Sequence, residues 1–263
     1  MKLYLAGIRS YQLDLGTECR AFSDPRLERT IQGIKREHNE PERRNRTPLT
    51  RQHLLKILSC LTPNNYEYAM IRASFTLAFA GFLRVGEFTY KEADRDLGLS
   101  FGKWYLTKGS IRIHHSGAYM ELTLPSSKTD PFRKGITLTI AASHDEACPV
   151  QAMKELIAVD NHRPKHAPLF CQERMSQQAF TREYVVRKLQ ELAVRAGLGE
   201  GSWNGHSFRR GAATWAAAVG IPENEIQILG RWRSDAYKAY IEFPRKQRIS
   251  LSRRFQRGSG QAS

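Results

Sequence analysis

The stretch NNYEYAMIRASFTLAFAGFL, residues 64–83, most limits how this chain can fold. Apolar residues cover almost every face of the helix that it predicts, so this helix must be buried on most sides. Apolar side chains make up 41% of the 263 residues, which is enough for a sizeable core. The length suits one large domain, or one domain with part of a second, built around that buried helix.

The remaining pattern predicts a mainly α protein with one small antiparallel β-sheet. Thr50 is typical of an N-cap, and Gly197 is typical of a helix end. Strands are predicted from the β-branched runs KWYLTKGSIRIHH, AYMELTLP and GITLTIAAS. Further helices are predicted from CPVQAMKELIAVD, TREYVVRKLQELAVRAG and HSFRRGAATWAAAVGIPENEIQILG, and a last one begins in SDAYKAYI.

Four segments divide the chain. Residues 1–38 predict two helices, too few to bury a core alone, and we expect them either to be the end of a helical domain or to pack on the part of the chain that follows. Residues 39–48 are charged and contain proline, as in a linker. The main domain is expected over 49–245, followed by a basic tail over 246–263 that becomes rich in glycine and serine.

The charge balance points to a polyanionic partner. The chain carries 41 Lys and Arg against 26 Asp and Glu, a formal net charge of +15, which favours nucleic acid. The four cysteines form no CxxC pair and fit no metal site. No signal peptide and no apolar run long enough to span a membrane is evident, so we expect a soluble, intracellular protein.

Two arginines stand out by their position. Arg84 directly follows the apolar helix, and a charge that enters a core needs a partner. Glu87, three residues on, can provide one and leave the guanidinium group directed at a phosphate. His206 and Arg209 share one helix face, although such a pair alone is more often a helix-start histidine and a surface arginine.

Two other features are weak when taken singly. Lys128 lies in the turn SSKTDPFRKG, where a lysine is usually only solvated. Tyr237 and Tyr240 lie on one face after Ser234, a residue typical of an N-cap, and could both be packing residues.

Taken in order, these motifs resemble the tyrosine recombinase (phage integrase) family. The resemblance rests on Arg84 in GFLRVGE, Lys128 in SKT, HSFR at His206–Arg209, LGRW at Leu229–Trp232, and Tyr240. It implies that family's catalytic-domain fold over 49–245, preceded by a partial helical core-binding domain over 1–38. The sequence LGRWRSDAYKAYI is most similar to that of Crypton- and DIRS-like recombinases of eukaryotic mobile elements.

The resemblance also implies roles for individual residues. Arg84 and Arg209 would clamp the scissile phosphate, and Tyr240 would attack it to form a 3′-phosphotyrosyl link. Lys128 would protonate the 5′-oxygen leaving group, and His206 would assist proton transfer. No metal ion or cofactor is implied.

One family position has two candidates. The family's histidine or tryptophan usually stands nine residues before the nucleophile, and this count gives Arg231. Counting forward from Arg209 gives Trp232, which we favour because indole is the family's alternative and can donate one N–H.

The implied partner is double-stranded DNA, with self-assembly into a synaptic tetramer on it and no membrane. Expected DNA contacts are Arg43, Arg44, Arg46, Arg210, Arg231 and Arg233. The protein would be intracellular and DNA-associated, and nuclear if its source is eukaryotic. Alternatives are a truncated or inactive DNA-binding derivative of a mobile element, which the short N-terminal region favours, and a type IB topoisomerase.

Overall fold

The computed structural model describes residues 2–38, 47–63, 65–125, 134–173, 178–199, 201–241, 249 and 252–253. Contacts divide the chain into two compact units, Met1–Asn45 and Arg46–Ser263. The domain limits predicted from the sequence remain predictions. Among the described residues, no helix combines the length and apolar character needed to cross a membrane.

The first unit contains two helices joined by a short connection. Helix α1 is Lys2–Asp14, a 3-10 helix follows at Arg20–Ser23, and α2 is Pro25–Glu37. Asp24 caps α2, because its carboxylate accepts a hydrogen bond from the backbone N–H of Arg26 at 2.8 Å.

The second unit contains seven α-helices and three strands among its described residues. The helices are α3 Arg51–Ser59, α4 Tyr66–Ala80, α5 Val85–Phe88, α6 Pro149–Val159, α7 Arg182–Arg195, α8 Ser207–Ala218 and α9 Glu223–Leu229. The strands are β1 Ile111–Ile113, β2 Tyr119–Leu124 and β3 Ile136–Ala141. Short 3-10 helices lie at Glu92–Asp94, Gly98–Lys103, Lys108–Ser110 and Asp235–Tyr240.

Helix α4 forms the centre of this unit. Every residue from Ala69 to Phe79 is buried, as the apolar stretch predicts, and α4 packs against α6 and α8. The sheet is antiparallel in the order β1-β2-β3. Met120, Leu122 and Leu124 are buried and alternate with more exposed residues, so one face of β2 packs on the core.

Most predicted elements are present, with one correction of a strand boundary and one of a helix type. Thr50 caps α3 through the backbone N–H of His53, as expected. The first predicted strand is wrong over most of its length, because β1 starts only at Ile111, after a 3-10 turn over Lys108–Ser110. The last predicted helix is a 3-10 helix, Asp235–Tyr240, whose Ser234 cap accepts from Ala236 N–H.

Candidate active site

Arg84 owes its position to an unusual end of α4. The amide N–H groups of Phe82 and Leu83 donate to the carbonyls of Phe79 and Ala78, which is the Schellman pattern of helix termination. Its left-handed position, usually glycine, is held by Phe82 at φ 49°. The chain then turns into α5, with Arg84 as its N-cap residue.

Glu87 binds Arg84 in two ways. Its Oε1 accepts a hydrogen bond from Arg84 Nη1 at 2.9 Å, and its Oε2 accepts from the Arg84 backbone N–H at 2.8 Å. The Glu87 side chain is 4% exposed, while that of Arg84 is 22% exposed. The carboxylate therefore fixes the arginine from the protein side and leaves part of the guanidinium group accessible.

Arg209 lies between two helix ends. It is 1% exposed on α8, donates from Nη1 to the carbonyl of Phe82 at 2.6 Å, and donates from Nη2 to that of Gly230. The two carbonyls lie just beyond the last turns of α4 and α9, near the helix C-termini, where the helix dipole favours a cation. Arg209 thus joins residues 82 and 230, which are far apart in the chain.

The local charge balance is unfavourable for Arg209. Burial, with the added charge of Arg84, lowers the pKa of Arg209 to about 9. Among the described residues, its buried Nε has no hydrogen-bond partner. A buried guanidinium group in this situation gains from any anion that approaches it.

Arg231 is a third arginine at this site. Arg84, Glu87, Arg209 and Arg231 are called the arginine cluster below. Its Nη2 lies 2.8 Å from Glu87 Oε2, and its Nη1 donates to the carbonyl of Gly81 at 2.9 Å. Burial lowers the pKa of Arg231, against the opposing effect of the Glu87 carboxylate. Its side chain is directed inward, with 9% exposure.

Trp232 and the two tyrosines cover the cluster. The Trp232 indole centroid lies 4.1 Å from the central guanidinium carbon of Arg209, within cation–π distance. The ring centroids of Tyr237 and Tyr240 are 6.0 and 5.6 Å from that of Trp232. The two tyrosines share a face because residues three apart align on a 3-10 helix.

The environments of the two tyrosines differ. Tyr237 is buried, and its hydroxyl donates to Glu223 Oε2 at 3.1 Å. Tyr240 is partly exposed, and its backbone carbonyl accepts a hydrogen bond from Thr214 Oγ1 at 3.0 Å. Tyr240 is thus the more accessible of the two tyrosines, and its ring lies beside both Trp232 and His206.

His206 lies near the cluster because the residue before it, Gly205, packs closely against the Val85 side chain. It is the N-cap residue of α8, and its ring centroid lies 6.4 Å from that of Tyr240. A Cβ atom built on the preceding Gly205 would lie 2.4 Å from Val85 Cγ1, so this contact requires glycine. Because Val85 follows Arg84, the contact brings the starts of α5 and α8 together.

Comparison with known proteins gives the family of this chain. The model of the phage integrase family matches residues 48–241, which include every member of the cluster. The chain belongs to the phage integrase family. No curated protein sequence gives a significant match.

Solved structures show the same fold as this phage integrase family member. The XerH site-specific recombinase bound to its difH substrate is 16% identical, with a TM-score of 0.55 over 82% of this chain and 56% of that one. The XerA recombinase is 16% identical, with a TM-score of 0.56 over 80% and 65% of the two chains. The Tn1549 transposon integrase is 13% identical, with a TM-score of 0.53 over 84% and 70%. The chain thus spans less than two thirds of the XerH and XerA chains.

The structure brings together most of the residues that the sequence singled out. Arg84 and Arg231 bind Glu87, Arg209 lies under the Trp232 ring, and both Trp232 and His206 lie beside Tyr240. Arg210 is partly buried on α8, and Arg233 is exposed. Four expected residues lie outside the described part of the chain: Arg43, Arg44, Arg46 and Lys128.

Sequence reasoning did not include Arg182 in the site. Its Nε would lie 3.6 Å from a Cβ built on Gly205, next to His206. Within the described part of the chain, Arg182 forms no ion pair or hydrogen bond, and it begins α7 where a cation is unfavourable. An arginine at a helix N-terminus was the available signal in the sequence.

Proposed function

We propose that this phage integrase family member cleaves and rejoins DNA at specific sites through a 3′-phosphotyrosyl intermediate on Tyr240. One observation carries the proposal: the guanidinium groups of Arg84 and Arg231 bind one carboxylate, and Arg209 lies close to them under the Trp232 ring, which also contacts the partly exposed Tyr240. A covalent protein–DNA adduct on nicked duplexes is the direct test.

The net positive charge of the cluster is costly in the unliganded protein and complements the negative charge of the reacting phosphate. The three arginines and Glu87 leave two positive charges in a largely buried site. A phosphodiester carries one negative charge, and its pentacoordinate transition state develops a second. A fixed surplus of two positive charges therefore stabilises the transition state more than the ground state, which is the requirement for catalysis.

The proposed step uses side chains alone. Arg84 and Arg209 hold the nonbridging oxygens while Tyr240 Oη bonds to phosphorus and the bond from phosphorus to the 5′-oxygen breaks. Lys128 gives its proton to that oxygen, and His206 assists removal of the tyrosine proton. Attack by a 5′-hydroxyl on the phosphotyrosine reverses the sequence and rejoins a strand.

Trp232 is the better candidate for the family's histidine or tryptophan position. Its indole lies over the guanidinium group of Arg209 and contacts Tyr240. It can therefore hold both the arginine that binds the phosphate and the tyrosine that attacks it. Arg231 instead directs its guanidinium group to Glu87 and Gly81.

The proposed partners are duplex DNA and further copies of this chain. Among the structures of similar fold, XerH is bound to its difH substrate, and the Tn1549 integrase is bound to transposon right end DNA. We expect an intracellular, DNA-associated protein, nuclear in a eukaryotic source. A purely DNA-binding derivative is not favoured, because it would have no need for Tyr240 beside buried arginines.

Phosphate contacts should dominate binding. For random-sequence duplexes, we expect log affinity to fall linearly with log salt, by roughly 0.9 for each phosphate that the protein neutralises. Arg233→Ala, which removes an exposed cation, should reduce this slope by about one such increment. Fluorescence anisotropy at several salt concentrations measures it. An affinity independent of salt would count against a nucleic-acid partner.

Lys128 should matter only when the leaving group needs a proton. Lys128→Ala should slow adduct formation by roughly 100- to 10,000-fold on ordinary DNA, the usual contribution of a general acid. A 5′-bridging sulfur leaves as a thiolate without protonation, so the variant should regain most of its rate on such a substrate. Equal defects on both substrates would assign Lys128 another role.

A further inference from the structure

Helices α4 and α9 end in the same way, beside the same cluster. At the end of α9, the amide N–H groups of Arg231 and Trp232 donate to the carbonyls of Ile228 and Gln227, which again is the Schellman pattern. Arg231 occupies the left-handed position at φ 56°, as Phe82 does after α4.

The helices α7 and α8 show the more usual arrangement. They also end in Schellman patterns, and there the left-handed residues are Gly197 at φ 68° and Gly220 at φ 88°. An arginine in this conformation costs free energy that glycine avoids. The side chain of Arg231 must therefore offset this cost or serve a purpose other than stability.

The contacts of Arg231 indicate what that purpose is. Both terminal nitrogens bind protein acceptors, the Glu87 carboxylate and the Gly81 carbonyl. The side chain is 9% exposed, whereas that of Arg84 is 22% exposed. Arg84 is thus the more accessible of the two arginines that share Glu87.

We propose that Arg231 is a positioning residue that acts through Glu87 to set the guanidinium group of Arg84 against the scissile phosphate. Arg231 holds one carboxylate oxygen, and Arg84 Nη1 binds the other. Its bond to Gly81 also fixes the turn that leads into Arg84. This inference rests on the proposed strand-cleavage function.

The left-handed backbone of Arg231 allows its side chain to be removed without an expected loss of stability. Arg231→Gly removes the side chain and supplies the residue that the left-handed conformation prefers, so the variant has a favourable backbone for folding. Its melting temperature should match or approach that of the wild type. At saturating nicked duplex, the rate constant for adduct formation should fall roughly 10- to 100-fold, as expected for a misplaced catalytic group.

Two further measurements separate positioning from DNA contact. The affinity of Arg231→Gly for duplex DNA and its salt slope should stay within about twofold of wild type, unlike those of Arg233→Ala. In an Arg84→Ala background, Arg231→Gly should cause little additional loss, because both changes act on the same interaction.

Arg195→Ala is the matched control. Arg195 ends α7, roughly 20 Å from the Arg182 end that lies near His206, and donates to the carbonyl of Cys60. This variant should behave as wild type in every assay.

Three results would overturn the inference: an unchanged rate in Arg231→Gly, a reduced salt slope, or losses that multiply with those of Arg84→Ala. Failure of the wild-type chain to form any adduct would instead refute the proposed function.

Discussion

Tyr240→Phe should abolish covalent adducts with DNA while binding stays within about twofold of wild type. The substitution removes only the hydroxyl oxygen that would bond to phosphorus, and it keeps the ring that packs against Trp232. Because neighbouring groups cannot supply this nucleophile, the expected loss is complete. Adducts on nicked suicide duplexes, separated by denaturing gel electrophoresis, measure the effect.

Tyr237→Phe is the matched control for this prediction. Tyr237 lies on the same face of the same 3-10 helix, but its hydroxyl is bound to Glu223. We therefore expect Tyr237→Phe to retain adduct formation, with a modest loss of stability from the missing hydrogen bond. If Tyr237→Phe abolishes adducts and Tyr240→Phe does not, Tyr237 is the nucleophile.

Glu87→Gln should cause the largest loss of stability of any isosteric change in the site. The carboxylate, 4% exposed, is paired with both Arg84 and Arg231, and its loss leaves three buried or half-buried cations without a counter-charge. Removal of one partner from such a buried arrangement costs about 3 to 5 kcal/mol in free energy of unfolding. Urea denaturation measures it.

Two further measurements test this prediction: the stability of Glu87→Gln in the presence of sulfate, and the stability of a control variant at an exposed carboxylate. Because the variant has lost its own anion, sulfate should stabilise Glu87→Gln more than the wild type. Glu191→Gln removes an exposed carboxylate that pairs with Arg187 on α7, and it should cost less than about 1 kcal/mol. If Glu87→Gln is as stable as Glu191→Gln, the Glu87 carboxylate does not hold the cluster together.

Local sequence signals predicted much of the fold. The apolar run over residues 64–83 predicted a buried α4, and Thr50 and Gly197 marked helix ends that the structure contains. These signals are reliable because burial, capping and left-handed glycine each depend on a few adjacent residues. The resemblance to tyrosine recombinases is confirmed by the family match, while the likeness to Crypton- and DIRS-like elements remains a prediction.

The detailed site was less accessible to sequence reasoning. That Arg84 has Glu87 as a partner could be anticipated from a charge at the edge of a core. The inward direction of the Arg231 side chain could not be anticipated, because a left-handed backbone is expected at glycine and the sequence has arginine at this position. The carbonyl groups that hold Arg209 come from helix ends far apart in sequence, and only the assembled fold brings them together.

The most direct test of the central claim is to map the residue that carries DNA in a trapped adduct. Wild-type protein is incubated with nicked duplexes from a random-sequence library, and the covalent species is digested with trypsin and analysed by mass spectrometry. Cleavage after Lys238 separates SDAYK, which contains Tyr237, from AYIEFPR, which contains Tyr240. The account predicts a phosphodiester-linked nucleotide on AYIEFPR. No adduct, or an adduct on any other peptide, would contradict it.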